Sequence, residues 1–478
     1  MRKRYRQRGL PAGYAAGAAA ARTGDEMSGP ALLLAGPAIT GSAASGSALL
    51  AGITAATALG GPLLGALLDR SPAPGRLLAA ALAGHALALT AVLVSLGRIP
   101  LGWTLLIAVA VGLLAPALAG GWSAQLPAVT PARELPRATA LDAMTFNAAA
   151  LAGPALAGAT AQLAGAHTAV AVAAVLISLA LPAALRLPRR SERPGAEPVR
   201  GAGAPRWSRP AAWLRTGLRT DPVAGLSAGS AAGLRADPVP GLRTDPAAGL
   251  RAGLRTDPAA GLRAQLAAGP RAIVRNGPLA RATAATTVSC AGEGLFVVCA
   301  PALGERDLGG PGHGALLLAA VAAAALAAGA LFARAPVRPR PEAVIAGSAV
   351  LSAAAMALAA PGGPVLLAVA VVLAGLGQGP QLAAVFAIRH REAPERLRGQ
   401  IFTTGASLKL TGFAVGAGIG GPLVLQSPPG ALLAAAAVQL LAALCCAARR
   451  RGRPARIGPA RSAADVPTTR SGPPPAGW

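Results

Sequence analysis

Twelve apolar stretches run through this chain of 478 residues, each about 20 residues long, the length at which one helix covers a bilayer core of about 30 Å. They lie at 12–37, 46–68, 77–97, 101–128, 140–163 and 168–187, and, after a polar insert, at 280–302, 313–333, 342–360, 364–388, 399–425 and 430–448. Composition agrees with spans rather than with a wetted surface. Charged residues make up 13% and hydrophobic residues 53%, with a mean hydropathy of +0.52, whereas soluble domains carry about 25% charged residues. Aromatics are few, and the abundant Ala and Gly suit helices packed closely through small side chains. The expected fold class is an all-α polytopic membrane protein with twelve transmembrane helices. Lys occurs only at Lys3 and Lys409, and the bias toward Arg, Ala, Gly and Pro is that of a GC-rich bacterial coding sequence.

A net charge of +26 on a soluble chain would point to nucleic acid. Here the basic residues sit in the connections between spans, so no nucleic-acid partner is expected. With the N-terminus cytoplasmic, the inner segments hold Arg2, Lys3, Arg4, Arg6 and Arg8, then Arg70 and Arg76, Arg133 and Arg137, the Arg-rich insert, Arg334, Arg338 and Arg340, then Arg389, Arg391, Arg396 and Arg398, and the tail. The outer connections hold only Arg98 and Arg306. This is the positive-inside asymmetry, and it predicts a multi-pass protein of the plasma membrane with both termini cytoplasmic. The basic opening MRKRYRQRG resembles the start of a signal peptide, but eleven later spans and the lack of a small-residue cleavage site make it the flank of helix 1. Cys290, Cys299, Cys445 and Cys446 lie inside apolar runs without metal-ligand spacing and read as small buried apolar residues. No metal and no cofactor are expected, and the chain is expected to work as a monomer in the lipid bilayer.

The two sets of six spans resemble each other. Gly24-Asp25 aligns with Gly292-Glu293 at an offset of 268, and GALLDRSPAPGR (65–76) aligns with GALFARAPVRPR (329–340) at 264. AVAV at Ala108 matches AVAV at Ala368, offset 260, and Arg137 entering helix 5 matches Arg398 entering helix 11, offset 261. Matches in topologically equivalent places, with a slowly drifting offset, predict two parallel six-helix halves: 1–187 and 280–448, joined by an insert at 188–279 and followed by a tail at 449–478. On these residues the chain resembles the major facilitator superfamily, whose halves are related in this way. Its signature between helices 2 and 3, G-x-L-x-D-R-x-G-R-[KR], is matched by Gly65, Leu67, Asp69 and Arg70, with Gly75-Arg76 displaced by two residues. The second-half copy has Ala333 where the acid would stand.

The resemblance implies a secondary transporter with a cavity between the halves and a cytoplasmic gate at Gly65, Asp69, Arg70 and Arg76, in which the acid latches onto helix 11. Physically, Gly65 lets helix 2 approach a neighbour, and Asp69 can face a helix N-terminus or an Arg; in the alternative reading, Asp69-Arg70 cap and orient a loop. Charges inside the hydrocarbon region are costly and mark function. Arg22, Asp25 and Glu26 cluster in helix 1, Glu293 lies in helix 7 and Lys409 in helix 11. Asp25 and Glu293 stand at equivalent places in the halves, as a pseudo-symmetric pair of acids for proton coupling and substrate contact. The competing reading of Arg22 and Asp25 is a structural pair within helix 1. Lys409 could pair with Glu293 or bind an anionic substrate.

Helix 5 carries Gly153, Pro154 and Gly158, a partial match to the Gly-Pro-x-x-Gly-Gly ending of the family's exporters, and helix 11 carries GFAVGAGIGGP from Gly412 to Pro422. Such runs let helices bend and pack closely. Gln125, Gln378, Gln381 and His85 are cavity polars or interhelical hydrogen bonders. The insert repeats GLRTDP at Gly217, Gly241 and Gly253, with Pro and Gly in every copy, and it and the tail are expected to be disordered. No nucleophile–base–acid set or phosphate loop supports an enzyme. The leading reading is proton-coupled efflux of a small amphipathic molecule by alternating access. The alternatives are an importer of a small anionic nutrient and a non-transporting membrane sensor or scaffold.

Overall fold

The computed structural model describes residues 11–190, 264–310, 313–335 and 339–447. Twelve long helices carry these residues: α1 (Ala12–Thr40), α2 (Ala43–Arg70), α3 (Pro74–Ser95), α4 (Leu101–Pro116), α5 (Leu135–Ala164) and α6 (Ala166–Leu179) in the first half. The second half holds α7 (Gly277–Leu308), α8 (His313–Arg334), α9 (Pro341–Ala359), α10 (Pro364–Glu392), α11 (Arg398–Gln426) and α12 (Pro428–Ala447). Ten of the twelve are long and apolar enough to cross a membrane, α4 and α6 when continued to Gly121 and Leu185. The two that fall short are α1 and α5, which carry Arg22, Asp25 and Glu26, and Arg137 and Asp142. Of these, Arg22 and Asp142 are buried inside the bundle.

The halves repeat each other in packing. In the first, α1 packs on α5 and α6, and α2 on α4; in the second, α7 packs on α11 and α12, and α8 on α10. Backbone details repeat too. Gly41, after α1, and Gly309, after α7, both end their helices in the left-handed conformation, at φ 72° and 81°. That conformation is open to glycine at no steric cost. Their offset is the same 268 residues that relates Gly24 to Gly292. The close approaches correspond as well: a Cβ on Gly24 would press on Ala173 and Ile177 of α6, and one on Gly292 on Gln439 of α12. Between the halves, α2 lies on α11, and α5 lies on α8 and α10. The pairs α2–α11 and α8–α5 are exchanged by the same pseudo-symmetry.

Two expectations about segments change. Helix 4, expected to run to residue 128, ends early. Pro116 lacks an N–H, the backbone widens into a π-turn over Ala117–Gly121, and a separate short helix follows at Leu126–Val129. The insert is not structureless throughout. Its last part forms a helix at Ala268–Arg275, whose Gly269 N–H donates to the Gln400 side chain of α11 at 2.7 Å. The GLRTDP copies and the tail lie outside the described residues.

Candidate functional site

A cavity opens between the halves where α1, α5, the π-turn, α10 and α11 converge. Its charged lining is Arg22, Asp25 and Glu26 from α1, Arg389 from α10 and Lys409 from α11; Phe146, Leu382, Val385, Phe386 and Leu410 supply apolar wall. The backbone brings these walls close through glycine. A Cβ on Gly153 of α5 would lie 2.7–2.8 Å from Glu26 and the Met27 nitrogen, so this glycine lets α5 run against the acidic turn of α1. A Cβ on Gly120, in the π-turn, would overlap the Phe402 carbonyl of α11.

Arg22 is 2% exposed and Asp142 of α5 is fully buried. Arg22 Nη1 donates to Asp142 Oδ1 at 2.9 Å and to the Asp142 carbonyl at 3.0 Å, and also to Thr145 Oγ1. Its Nη2 donates to Ser123 Oγ at 2.9 Å. Ser123 in turn donates to Asp142 Oδ2 at 2.6 Å, and Tyr14 Oη donates to Oδ1 at 3.3 Å. The guanidinium lies 3.7 Å from the Phe146 ring centroid, a cation–π distance. The terminal nitrogens of Arg22 are thus held by a carboxylate of helix 5 and its neighbours, which replaces the alternative reading of a pair with Asp25 inside helix 1.

Asp25 turns instead toward α3, where His85 Nε2 lies 3.8 Å from Oδ1 and His85 is fully buried. The acid of α1 that reaches the opposite half is Glu26. Lys409 lies within electrostatic range of Glu26 from the first half and of Glu293 from its own half. Cys290, one turn earlier on α7, is the group that acts on Glu293 from its own helix. Asp25 thus stands by His85, whereas Glu293 acts on Lys409. The cluster that forms across the halves is Glu26–Lys409–Glu293.

At one end of the bundle the halves are fastened. Asp69, at the last turn of α2, accepts from the backbone N–H of Gly399 at 2.7 Å and of Gln400 at 2.8 Å, the opening residues of α11. A helix leaves its first N–H groups unpaired and carries partial positive charge there, so a carboxylate is the natural partner. Gly65 makes room one turn earlier: a Cβ there would overlap the Gln400 Cα and Thr403. Further along the seam, Gln400 Nε2 donates to the Pro62 carbonyl at 3.4 Å, Thr403 to the Gly61 carbonyl at 2.6 Å and Ser407 to the Thr57 carbonyl at 2.6 Å. The arginines beside Asp69 differ from those expected. Arg190 donates to the Asp69 carbonyl, and Arg190 and Arg398 are its electrostatic neighbours. The Arg70 and Arg76 side chains are exposed and make no hydrogen bond or ion pair among the described residues.

The remaining motifs divide. Gly153 packs, whereas Pro154 is exposed and a Cβ on Gly158 would meet nothing within 4 Å, so the helix-5 pattern works at its first residue only. In α11, added Cβ atoms would overlap the Thr287 carbonyl at Gly412 and the Ala291 carbonyl at Gly416, while Gly418 and Gly421 face open space. Gln381 donates to Ser289 at 3.1 Å and Ser289 to Gln439 at 2.8 Å, an interhelical network of the second half. Asp142 and Arg389 were missed as site residues. Asp142 lies on the buried side of the first turns of α5, beside Ala138, Thr139 and Ala143, and in sequence Arg389 reads as a loop charge. Its eight-residue spacing from Gln381 puts both on one face of a helix.

Residues 14–236 match the sequence profile described as Major Facilitator Superfamily. No curated protein matches the sequence significantly. The structure is similar to that of the human organic anion transporter MFSD10 (TETRAN), with a TM-score of 0.60 at 15% identity, covering 91% of this chain and 100% of that one. It is also similar to the E. coli fucose:proton symporter FucP, with a TM-score of 0.54 at 16% identity, covering 91% and 97%, and to FucP in the outward conformation, at 0.53 and 15%, covering 91% and 99%. Residues 14–236 thus carry the superfamily's sequence pattern, and the chain shares the fold of these three structures.

Proposed function

We propose that this chain is a secondary active transporter of the major facilitator superfamily that expels a small amphipathic molecule in exchange for protons. The observation that carries the reading is a charged cavity between two pseudo-symmetric halves that are fastened at one end by Asp69 on α11. With the basic connections inside, that fastened end is cytoplasmic, and this is the outward-facing member of an alternating-access cycle. The fold-level neighbours, an organic anion transporter and a proton symporter, are consistent with secondary transport.

Glu26, Lys409 and Glu293 supply a coupling device. While Glu26 is ionised, Lys409 is attracted to both halves at once. A proton on Glu26 cancels the attraction across the halves and leaves Lys409 to Glu293, which sits in the same half as Lys409. Proton binding then alters the relative energy of the two arrangements, as coupling requires. The buried Arg22–Asp142 pair holds α1 on α5 throughout. The direction of transport leans on the exporter-like motif of helix 5, whose first residue, Gly153, seats Glu26.

Expression in a host stripped of its own efflux pumps tests this. Intracellular accumulation of dyes and antibiotics should fall, and a proton uncoupler should abolish the difference. Uphill uptake of substrate into right-side-out vesicles would sink the export direction, and coupled transport that survives Glu26→Gln and Glu293→Gln would sink the coupling device.

A further inference from the structure

Each cation of the cavity has its counter-charge except one. Arg22 is held by Asp142, and the carboxylates of Glu26 and Glu293 act on Lys409. Arg389 lines the same cavity and is 4% exposed. Its guanidinium makes no hydrogen bond and no ion pair among the described residues, and its buried Nε is one of the orphaned polar atoms of the bundle. The ionisable groups that act on it are Cys290, Lys409 and His390, none of them a carboxylate. Two rings stand near it, with its Cζ 5.9 Å from the Phe386 centroid and 5.7 Å from that of Phe402; these cation–π contacts lie at the outer limit of the interaction and do not replace a counter-ion.

A buried cation without a partner is among the costliest arrangements in a protein. Arg389 sits one turn from the end of α10, where a long side chain would ordinarily reach outward to headgroups, yet it is turned inward. Gly405 of α11 accommodates it: a Cβ there would overlap the guanidinium. The backbone has thus been cleared for a charge that nothing among the described residues neutralises.

We propose that Arg389 docks the anionic group of the transported molecule, a small organic anion bearing a carboxylate, sulfonate or phosphonate on an apolar body. The planar guanidinium matches such oxyanions through two parallel N–H bonds. Leu382, Val385, Phe386, Phe146 and Leu410, which line the same cavity, receive the apolar part. This inference rests on the transporter reading for the word substrate, but the docking site itself is testable without transport.

The experiment is calorimetric binding to the purified full chain in detergent, with benzoate, benzenesulfonate and phenylphosphonate as probes, benzamide as the neutral control and inorganic phosphate as the anion without an apolar body. The organic anions should bind at least tenfold more tightly than benzamide and than inorganic phosphate. Arg389→Gln should cost at least tenfold for the anions and leave benzamide unchanged. Gly405→Ala keeps the charge and displaces the guanidinium; it should weaken the anions in the same selective way, which covers the case in which Arg389→Gln does not fold. Equal binding of benzamide and benzoate, full anion affinity in Gly405→Ala and Arg389→Gln, or no binding of any organic anion overturns the assignment. Failure of the two readings is distinguishable. A chain that expels a cationic dye yet binds no anion refutes the docking site alone, and one that binds benzoate through Arg389 yet moves no solute in vesicles refutes transport alone.

Discussion

Removing the carboxylate of Asp69 should loosen one end of the bundle and leave the rest intact. Two N–H bonds, at 2.7 and 2.8 Å, end on this carboxylate, and both donors belong to the first turn of α11. A hydrogen bond to a charged group contributes about 1.5–3 kcal/mol net. Asp69 is half-buried, so the low end applies to each bond, and the pair holds the seam with about 3 kcal/mol. Alternating access requires α2 and α11 to separate at this end in the opposite state, so all of this energy favours the closed seam. Asp69→Ala should therefore raise the ratio of open to closed seam about a hundredfold, at 1.4 kcal/mol per factor of ten. Asp69→Asn keeps one neutral acceptor and should give about tenfold. The assay is double electron–electron resonance in nanodiscs, on a chain with its four cysteines replaced and spin labels at the exposed positions 70 and 396. The parent should show mainly the short distance and Asp69→Ala a new long one. A distance distribution unchanged in Asp69→Ala would refute the latch and leave Asp69 as a loop-orienting residue.

Two further outcomes follow from the packing. Asp142→Ala leaves Arg22 as a buried, unpaired cation and should cost about 3–5 kcal/mol, whereas removing both charges with Arg22→Leu and Asp142→Leu together should be much milder. Thermal unfolding of the detergent-purified chain checks this, and Asp142→Ala melting with the wild type would refute the pairing. In α11, Gly416→Val drives a side chain into the Ala291 carbonyl and should destabilise by at least the 1–3 kcal/mol typical of overpacking, about that or more. Gly418→Ala meets nothing within 4 Å and should be neutral or stabilising by a few tenths to about 1 kcal/mol. A reversal of that order in the same melting assay would show that the α7–α11 seam is misassigned.

What could be read from sequence and what could not follows from the range of each interaction. Spans, repeat and fold class are properties of stretches of about 20 residues, and a bilayer imposes them on each stretch separately. Even the seam of α11 was legible in outline, because Gly412, Gly416 and Gly420 recur at four residues and so share one face of a helix; the glycines off that period, Gly418 and Gly421, are the ones that face open space. Partnerships are different. Arg22 lies three residues from Asp25 and 120 from Asp142, and proximity in sequence favours the wrong acid. What decides is the close packing of α1 on α5 at Gly153, which sequence records only as one glycine among 61. Arg389 misled for a related reason. Loop charge sums treat every terminal arginine alike, and the sum stays correct whether the side chain points to headgroups or into the cavity. Its distinguishing mark is negative: no carboxylate among the described residues pairs with it. An unmet charge of this kind emerges only after every other charge has been assigned a partner, so a three-dimensional charge balance locates the candidate anion site that neither motif nor periodicity could.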